Sequence, residues 1–130
     1  MILSFETTGA TSHVGLYQPD GTPVSMNTWD SGRELADQLP GVMLVELEAT
    51  NAGLQSLTGV IIYSGPGSFT SLRIGHTVAN ALALSLGIPI VGATGSKWVR
   101  EAIGRLDGTP IGTIAMPFYG AEANITRRKA

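Results

Sequence analysis

A short glycine-rich loop, residues 64–67, is the part of this sequence that could most readily do chemistry. It lies between an apolar run, residues 59–63, and the predicted start of a long helix. Backbone N–H groups at a helix start can hold a phosphate, which makes Gly65, Gly67 and Ser68 candidates for nucleotide binding. The same residues also suit a tight turn, because Gly67 is expected to adopt positive φ and Ser68 to cap the helix. We favour the turn over phosphate binding.

The sequence predicts no catalytic residue and no metal site. Glu6 could coordinate a metal or activate water, but alone at the end of a buried strand it is expected to bond to nearby backbone. His13 and His76 are not paired, and each is expected to be structural or to lie on the surface. A triad assembled from Ser68, His76 and Asp107 has no support in their spacing. We therefore expect neither a metal nor a cofactor.

The elements that hold these residues follow from the hydrophobic pattern. Strands are predicted at residues 2–7, 11–18, 22–29, 59–63 and 88–92, helices at 32–49, 69–86 and 96–106, and a final strand pair at 109–116 and 121–127. Ser31 is expected to cap the first helix in a capping box with Glu34. Pro40 is expected to kink or split that helix, and Gly87 to end the second one. The order predicts an α/β fold of the ribonuclease-H-like type found in actin-like ATPases, with a mixed sheet and helices on its faces.

Two helices carry more apolar surface than one sheet can cover. Residues 42–45 are apolar on every side of the first helix, and helix 69–86 has only Arg73 and His76 as ionisable side chains. Charged residues make up 14% of the sequence, against about 25% in ordinary soluble domains. The surplus apolar surface is either buried between the two helices or available to a protein partner. The candidate interface residues are Val42, Met43, Val45, Ile74, Val78 and Ala81.

Charge and composition narrow the class of protein further. The sequence has 130 residues, no cysteine and a formal net charge of −2. A disulfide framework is therefore excluded, and direct nucleic-acid binding is not expected. The basic cluster at residues 127–129 is expected to be a solvated tail. No signal peptide or membrane span is visible, so we expect a cytoplasmic protein.

The run Ser64–Gly75 resembles the signature of the TsaB (YeaZ) family, whose pattern reads GPGSFTG-L/V-RIG. Ser71 stands here where that pattern has a glycine. The pair Leu39–Pro40 matches a Leu-Leu-Pro segment of the family's first helix, and Ala79–Gly92 is similar to its next helix and strand. The resemblance covers about residues 1–106.

This resemblance implies a subunit of the machinery that forms threonylcarbamoyladenosine (t6A) in tRNA. In that machinery the chemistry belongs to TsaD, with ATP and a metal, using threonylcarbamoyl-AMP made by TsaC. TsaD carries a His-x-x-x-His pair, whereas this chain reads Val91–Gly95 after the corresponding strand, with no histidine. The implied role is a non-catalytic scaffold that binds and stabilises a TsaD-like paralogue through the two apolar helices. TsaE is a further implied partner, and a homodimer is expected when the chain is alone.

The resemblance also has a limit. Family members usually continue through a second lobe, of which this sequence holds only what looks like the first hairpin. We predict a ribonuclease-H-like lobe at residues 1–108 and a remnant of the second lobe at residues 109–130. Two alternatives stay open: a small ATP-dependent phosphotransferase or TsaD-like acyltransferase fragment, and a self-associating paralogue without a tRNA role.

Overall fold

The computed structural model describes residues 1–51 and 53–119. Five strands form a single mixed sheet in the order β3-β2-β1-β4-β5. The strands are β1 (Ile2–Thr7), β2 (Thr11–Tyr17), β3 (Pro23–Asp30), β4 (Gly59–Tyr63) and β5 (Ile90–Ala93), and the α-helices are α1 (Leu35–Ala49), α2 (Phe69–Leu86) and α3 (Trp98–Leu106). Short 3₁₀ turns lie at Gly32–Glu34 and Leu54–Ser56. The predicted order of strands and helices up to residue 106 is confirmed.

The strand β1 is the centre of the sheet. It pairs antiparallel with β2, where Ile2 lies opposite Tyr17, and parallel with β4, where Ile2 lies opposite Gly59. The pair β2–β3 is antiparallel and the pair β4–β5 is parallel. Side chains alternate between the two faces of a strand, so Leu3 and Phe5 point to one side of the sheet and Ile2 to the other. The sheet is therefore a meander joined to a parallel half.

The helices divide the core between the two faces of the sheet. The larger core lies under α1 and α2 and includes Phe5, Leu39 and Ile62, each fully buried. A smaller core lies under α3 around Trp98, whose ring meets that of Tyr63 edge-on at 5.8 Å. Because α3 packs on β4 and β5, the face of the meander opposite α1 and α2 is not covered by a helix in the part of the chain that the structure describes.

No helix within the described residues is long and apolar enough to span a membrane.

Two predictions about the start of α1 are wrong. Ser31 makes no cap; its buried hydroxyl lies 2.7 Å from the Ser12 hydroxyl instead, and a 3₁₀ turn precedes the helix. The helix α1 also runs unbroken through Pro40, so Pro40 does not split it, and a kink there stays a prediction. Pro40 is exposed and lies in the second turn, where its missing N–H removes only one hydrogen bond from the helical ladder. Packing of the whole helix on the sheet outweighs that loss.

The segment after α3, residues 107–119, does not contain the strand predicted at 109–116. The backbone of this segment pairs with one side chain of α2 and not with a strand. Asn80 Nδ2 donates to the Ala115 carbonyl, and the Ala115 N–H donates to Asn80 Oδ1, both at 2.9 Å. Further along, the Phe118 N–H donates to the Ser64 carbonyl at 2.7 Å. The predicted strand at 121–127 and the basic cluster at 127–129 lie outside the described residues. The division of the chain after residue 108 stays a prediction.

Candidate partner-binding surface and glycine-rich loop

The glycine-rich loop connects β4 to α2 and packs against the turn that follows β1. The Ser68 N–H donates to the Thr8 carbonyl at 2.7 Å. The Ser68 hydroxyl accepts from the Ser71 N–H at 3.3 Å, which confirms the predicted cap. Two amides that a phosphate would need at this helix start are therefore already bonded within the protein. This geometry supports the turn interpretation of the loop.

Gly65, not Gly67, adopts the positive φ, at 127°. The prediction that Gly67 adopts a positive φ is therefore wrong. Position 67 still requires glycine, for a different reason. A Cβ at Gly67 would lie 2.9 Å from both the Cβ and the carbonyl oxygen of Thr8. At Gly65 a Cβ would collide with the carbonyl oxygen of Phe118. Packing against the Thr8 backbone, which the local sequence does not encode, explains the glycine at position 67.

Gly75 lets the helix α2 pack closely on β1. A Cβ on Gly75 would collide with the Thr7 hydroxyl oxygen and lie 3.0 Å from the Thr7 Cβ. The prediction that another group approaches this glycine is confirmed. The Thr7 hydroxyl is buried and has no hydrogen-bond partner among the described residues. At the other end of α2, Gly87 forms the predicted left-handed C-cap, with φ 66°.

His76 is a structural residue of α2, buried with 3% of its surface exposed. Its Nδ1 lies 2.8 Å from the Leu72 carbonyl oxygen. Because a carbonyl only accepts, Nδ1 donates this bond, and Nε2 of the neutral ring is left buried without a partner. Burial lowers the pKa of His76, and the bond to Leu72 opposes that shift. The neutral ring is therefore the form that the fold favours.

We expect the free energy of unfolding to fall as the pH drops below about 6.5, the ordinary pKa of histidine. Below that pH unfolded His76 binds a proton that the folded protein excludes, so acid favours unfolding until the lower folded pKa is reached. Urea unfolding between about pH 8 and pH 5 measures the slope. His76→Gln should remove this part of the slope, while His13→Gln, which keeps His76, is the control. Equal slopes in the parent and in His76→Gln would contradict the assignment.

Glu6 lies on the open face of the meander, opposite His13 in β2. Among the described residues its carboxylate makes no hydrogen bond to backbone, so that expectation is wrong. Burial and, to a lesser extent, the charge of Glu6 raise the pKa of Tyr17. His13 bonds instead to the Thr28 hydroxyl at 2.9 Å. The described residues contain no group of three or more His, Asp or Glu placed to hold a metal.

The helices α1 and α2 lie side by side, and the apolar side chains that both helices leave exposed or half-buried are here called the helix-pair surface. Val45 is 56% exposed, Ala81 is exposed, and Val42, Ile74 and Val78 are half-buried. Sequence reasoning did not identify Leu44 on α1 and Leu84 on α2, which are 48% and 64% exposed. The helix-pair surface comprises Leu44, Val45, Ile74, Val78, Ala81 and Leu84.

Met43 is the one candidate interface residue that lies in the core, with 8% of its surface exposed. It continues the row of Leu35 and Leu39 at intervals of four residues, the spacing of one helix face, and that row faces the sheet. The expectation that Met43 is available to a partner is therefore corrected. Its neighbour Leu44, 48% exposed, takes its place on the surface.

A groove with a volume of about 320 Å³ lies between the start of α1 and the first half of α2. Its apolar lining is Ala36, Ile74 and Val78, and its polar lining is Thr70, Thr77 and Arg73. The Arg73 guanidinium lies 5.2 Å from the centre of the Phe69 ring, in the geometry of a cation–π contact. The groove thus has an apolar lining with one cation, while α1 also carries the exposed carboxylates Asp37 and Glu48 on its outward side.

Comparisons with known proteins identify the family. The family model "TsaD: tRNA N6-adenosine threonylcarbamoyltransferase" matches residues 30–105. The TsaB protein of Bacillus subtilis, named for tRNA threonylcarbamoyladenosine biosynthesis, is 33% identical over 89 residues, which are 68% of this chain and 38% of that protein. A tRNA N6-adenosine threonylcarbamoyltransferase of Tropheryma whipplei is 34% identical over 62 residues, 48% of this chain and 16% of that protein.

A solved structure shows the same fold. YeaZ from Pseudomonas aeruginosa superposes with a TM-score of 0.66 at 24% identity, over 72% of this chain and 43% of YeaZ. The chain thus spans less than half the length of each of these proteins. Its mixed sheet with helices on both faces is the actin-like fold. The chain belongs to the family that the TsaD model describes, and the predicted resemblance to TsaB (YeaZ) is confirmed.

Proposed function

We propose that this chain is a cytoplasmic, non-catalytic scaffold in t6A biosynthesis that binds and stabilises a TsaD-type protein. The observation that carries the proposal is the helix-pair surface. Leu44, Val45 and Leu84 are about half or more exposed there, although each could lower the free energy by leaving water. Exposed large apolar side chains that cluster on two neighbouring helices are typical of protein interfaces.

The size of the surface supports a stable complex. The helix α1 has 15 residues and α2 has 18, which makes them about 22 Å and 27 Å long at 1.5 Å per residue. Stable interfaces bury about 800 Å² on each partner, and two helices of this length side by side can supply such an area. A surface that fits a structurally related partner can also fit itself, so we propose a homodimer when that partner is absent.

A second candidate function is a small ATP-binding enzyme or a TsaD-like acyltransferase fragment. The match of the TsaD family model to residues 30–105 favours it. Against it stands the glycine-rich loop, where the Ser68 and Ser71 N–H groups are bonded within the protein rather than free for a phosphate. The scaffold role rests on the exposed helices and the enzyme role on family membership, so the two can be separated by experiment.

Mixing the chain with the TsaD-type protein of the same organism tests the proposal. We expect a complex with a Kd below about 10 µM and a higher melting temperature of the TsaD-type protein within it. Light scattering of the chain alone should give the mass of a dimer. Calorimetric titration of the chain with ATP and magnesium should give no heat of binding. A monomeric chain that does not bind the TsaD-type protein would refute the scaffold role, and a low-micromolar ATP site would favour the enzyme.

We propose TsaE as a further partner, because the resemblance to the TsaB family implies it. TsaE is added to the isolated chain and to the preformed complex with the TsaD-type protein, and each mixture is resolved by size-exclusion chromatography. We expect TsaE to elute with one of the two, and elution of TsaE apart from both would contradict this proposal.

A further inference from the structure

We infer that the partner inserts a carboxylate side chain into the groove between α1 and α2, where it pairs with Arg73; the inference rests on the proposed function. Among the residues that the structure describes, Arg73 is the only charged one that lines the groove. Within residues 1–51 and 53–119 no carboxylate forms an ion pair with it, and no acceptor takes a hydrogen bond from it. The guanidinium therefore still has its donors available at the edge of an apolar surface.

The guanidinium of Arg73 contacts an aromatic ring and, among the described residues, no carboxylate. It lies over the Phe69 ring at 5.2 Å from the ring centre, and that ring is tilted against Tyr119 with the ring centres 4.5 Å apart. A cation–π contact leaves the N–H groups that are not directed at the ring able to donate. The groove thus presents a cation that can bind a planar acceptor.

A partner that buries the helix-pair surface must supply an anion for Arg73. A partner that covers the apolar residues around the groove also removes water from Arg73. A buried cation without a counter-charge is strongly unfavourable, whereas a paired and hydrogen-bonded one is tolerated. A purely apolar partner would therefore be repelled at this point. The partner that fits is one whose apolar helix face carries a single acidic side chain opposite Arg73.

The lining of the groove fits a carboxylate on an aliphatic stem. Ile74 and Val78 offer apolar contact to the stem, and the hydroxyls of Thr70 and Thr77 can donate to the carboxylate oxygens beside Arg73. The cavity of about 320 Å³ has room for one such side chain. Aspartate or glutamate on the TsaD-type protein matches each part of this lining.

Binding measurements on Arg73 variants test the inference. We expect Arg73→Ala to weaken binding of the TsaD-type protein about 10-fold and Arg73→Glu about 100-fold or more, as expected for loss of a charge-assisted pair and for like charges in contact. Arg73→Lys keeps the charge and should bind between the parent and Arg73→Ala. The matched control is Arg100→Glu, the same charge change at an exposed position on α3, which should bind within about twofold of the parent. Salt should weaken the parent complex more than the Arg73→Ala complex.

The outcomes separate this inference from the proposed function. If the parent binds and Arg73→Ala binds equally well with the same salt dependence, the inference is wrong and the scaffold role stands. If the parent does not bind the TsaD-type protein, both are wrong. Recovery of the Arg73→Glu complex by reversing the charge of one acidic residue on the partner would confirm the pair and identify that residue. Circular dichroism and thermal unfolding of every variant show whether a loss of binding reflects a loss of fold; if Arg73→Ala and Arg73→Glu unfold, Arg73→Lys and the salt dependence of the parent decide.

Discussion

Leu44→Glu is expected to abolish the complex with the TsaD-type protein and the homodimer while leaving the chain folded. Leu44 is 48% exposed on the outward side of α1, so a carboxylate there stays in water in the free chain. In the complex the same carboxylate would be buried without a counter-charge, at several kcal/mol. We therefore expect the Kd to rise more than about 100-fold. Calorimetry with the partner and light scattering of the chain alone measure the two assemblies.

The control for this variant is Met26→Glu. Met26 is 49% exposed, nearly the same as Leu44, but it lies on β3 and packs over Gly15 on the open face of the meander. It receives the same charge on the opposite side of the sheet from α1 and α2. We expect Met26→Glu to bind the partner like the parent. Equal loss of binding in both variants would mean that net charge, and not the position of Leu44, governs assembly.

Gly75→Ala is expected to lower the free energy of unfolding by about 1–3 kcal/mol, the usual range for overpacking a core. The added Cβ would collide with the Thr7 hydroxyl. Thr7 is buried in the central strand, so α2 must move away from the sheet to make room. The matched control is Gly104→Ala in α3, where a Cβ meets nothing within 4 Å. There alanine should stabilise the helix by up to about 1 kcal/mol, and the two variants should shift the urea midpoint in opposite directions.

A second substitution identifies the colliding group. The Thr7 hydroxyl has no hydrogen-bond partner among the described residues, so Thr7→Ala loses no hydrogen bond and frees space beside Gly75. The double variant Thr7→Ala with Gly75→Ala should therefore be more stable than the sum of the single effects predicts. Strictly additive effects, or a Gly75→Ala protein as stable as Gly104→Ala, would show that α2 and β1 do not meet as closely as described.

The parts of the fold that depend on short stretches of sequence could be predicted from it. The apolar run at β4 gives the same strand, Gly59–Tyr63, in prediction and structure. The caps of α2, Ser68 and Gly87, also form as expected, because capping depends on a few neighbouring residues. Order and type of the elements follow from the same local signals.

The parts that depend on distant contacts could not be predicted. The strand expected at 109–116 has the right residue types, but a strand needs a partner, and here the side chain of Asn80 takes that role. Ser31 is a residue type that suits a cap, but its hydroxyl is hydrogen-bonded to the hydroxyl of Ser12 on β2 instead. Gly67 is needed because Thr8 lies beside it, a fact that positions 64–68 do not contain.

The two helices that carry the candidate surface were predicted, but the residues of α1 that reach the surface were not all identified. An apolar run on all sides of a helix, such as Val42–Val45, does not show which of its residues faces the sheet. The answer lies outside the run, in the row formed by Leu35, Leu39 and Leu47, all buried. Extending that row in steps of four residues would have assigned Met43 to the core and Leu44 to the surface. The groove at Arg73 needs both helices in place and has no signal in either alone.

The central position of β1 sets the order in which this lobe can fold. The antiparallel strands β2 and β3 of the meander end at Asp30, so the meander can form from local pairings before β4 is synthesised. The parallel pairing with β4 closes a loop of nearly half the chain, since Ile2 meets Gly59, and long-range parallel pairing is slow. Until β4 arrives, one edge of β1 presents unpaired backbone groups beside Leu3 and Phe5. The interval between these two steps is when the nascent chain is most exposed to aggregation.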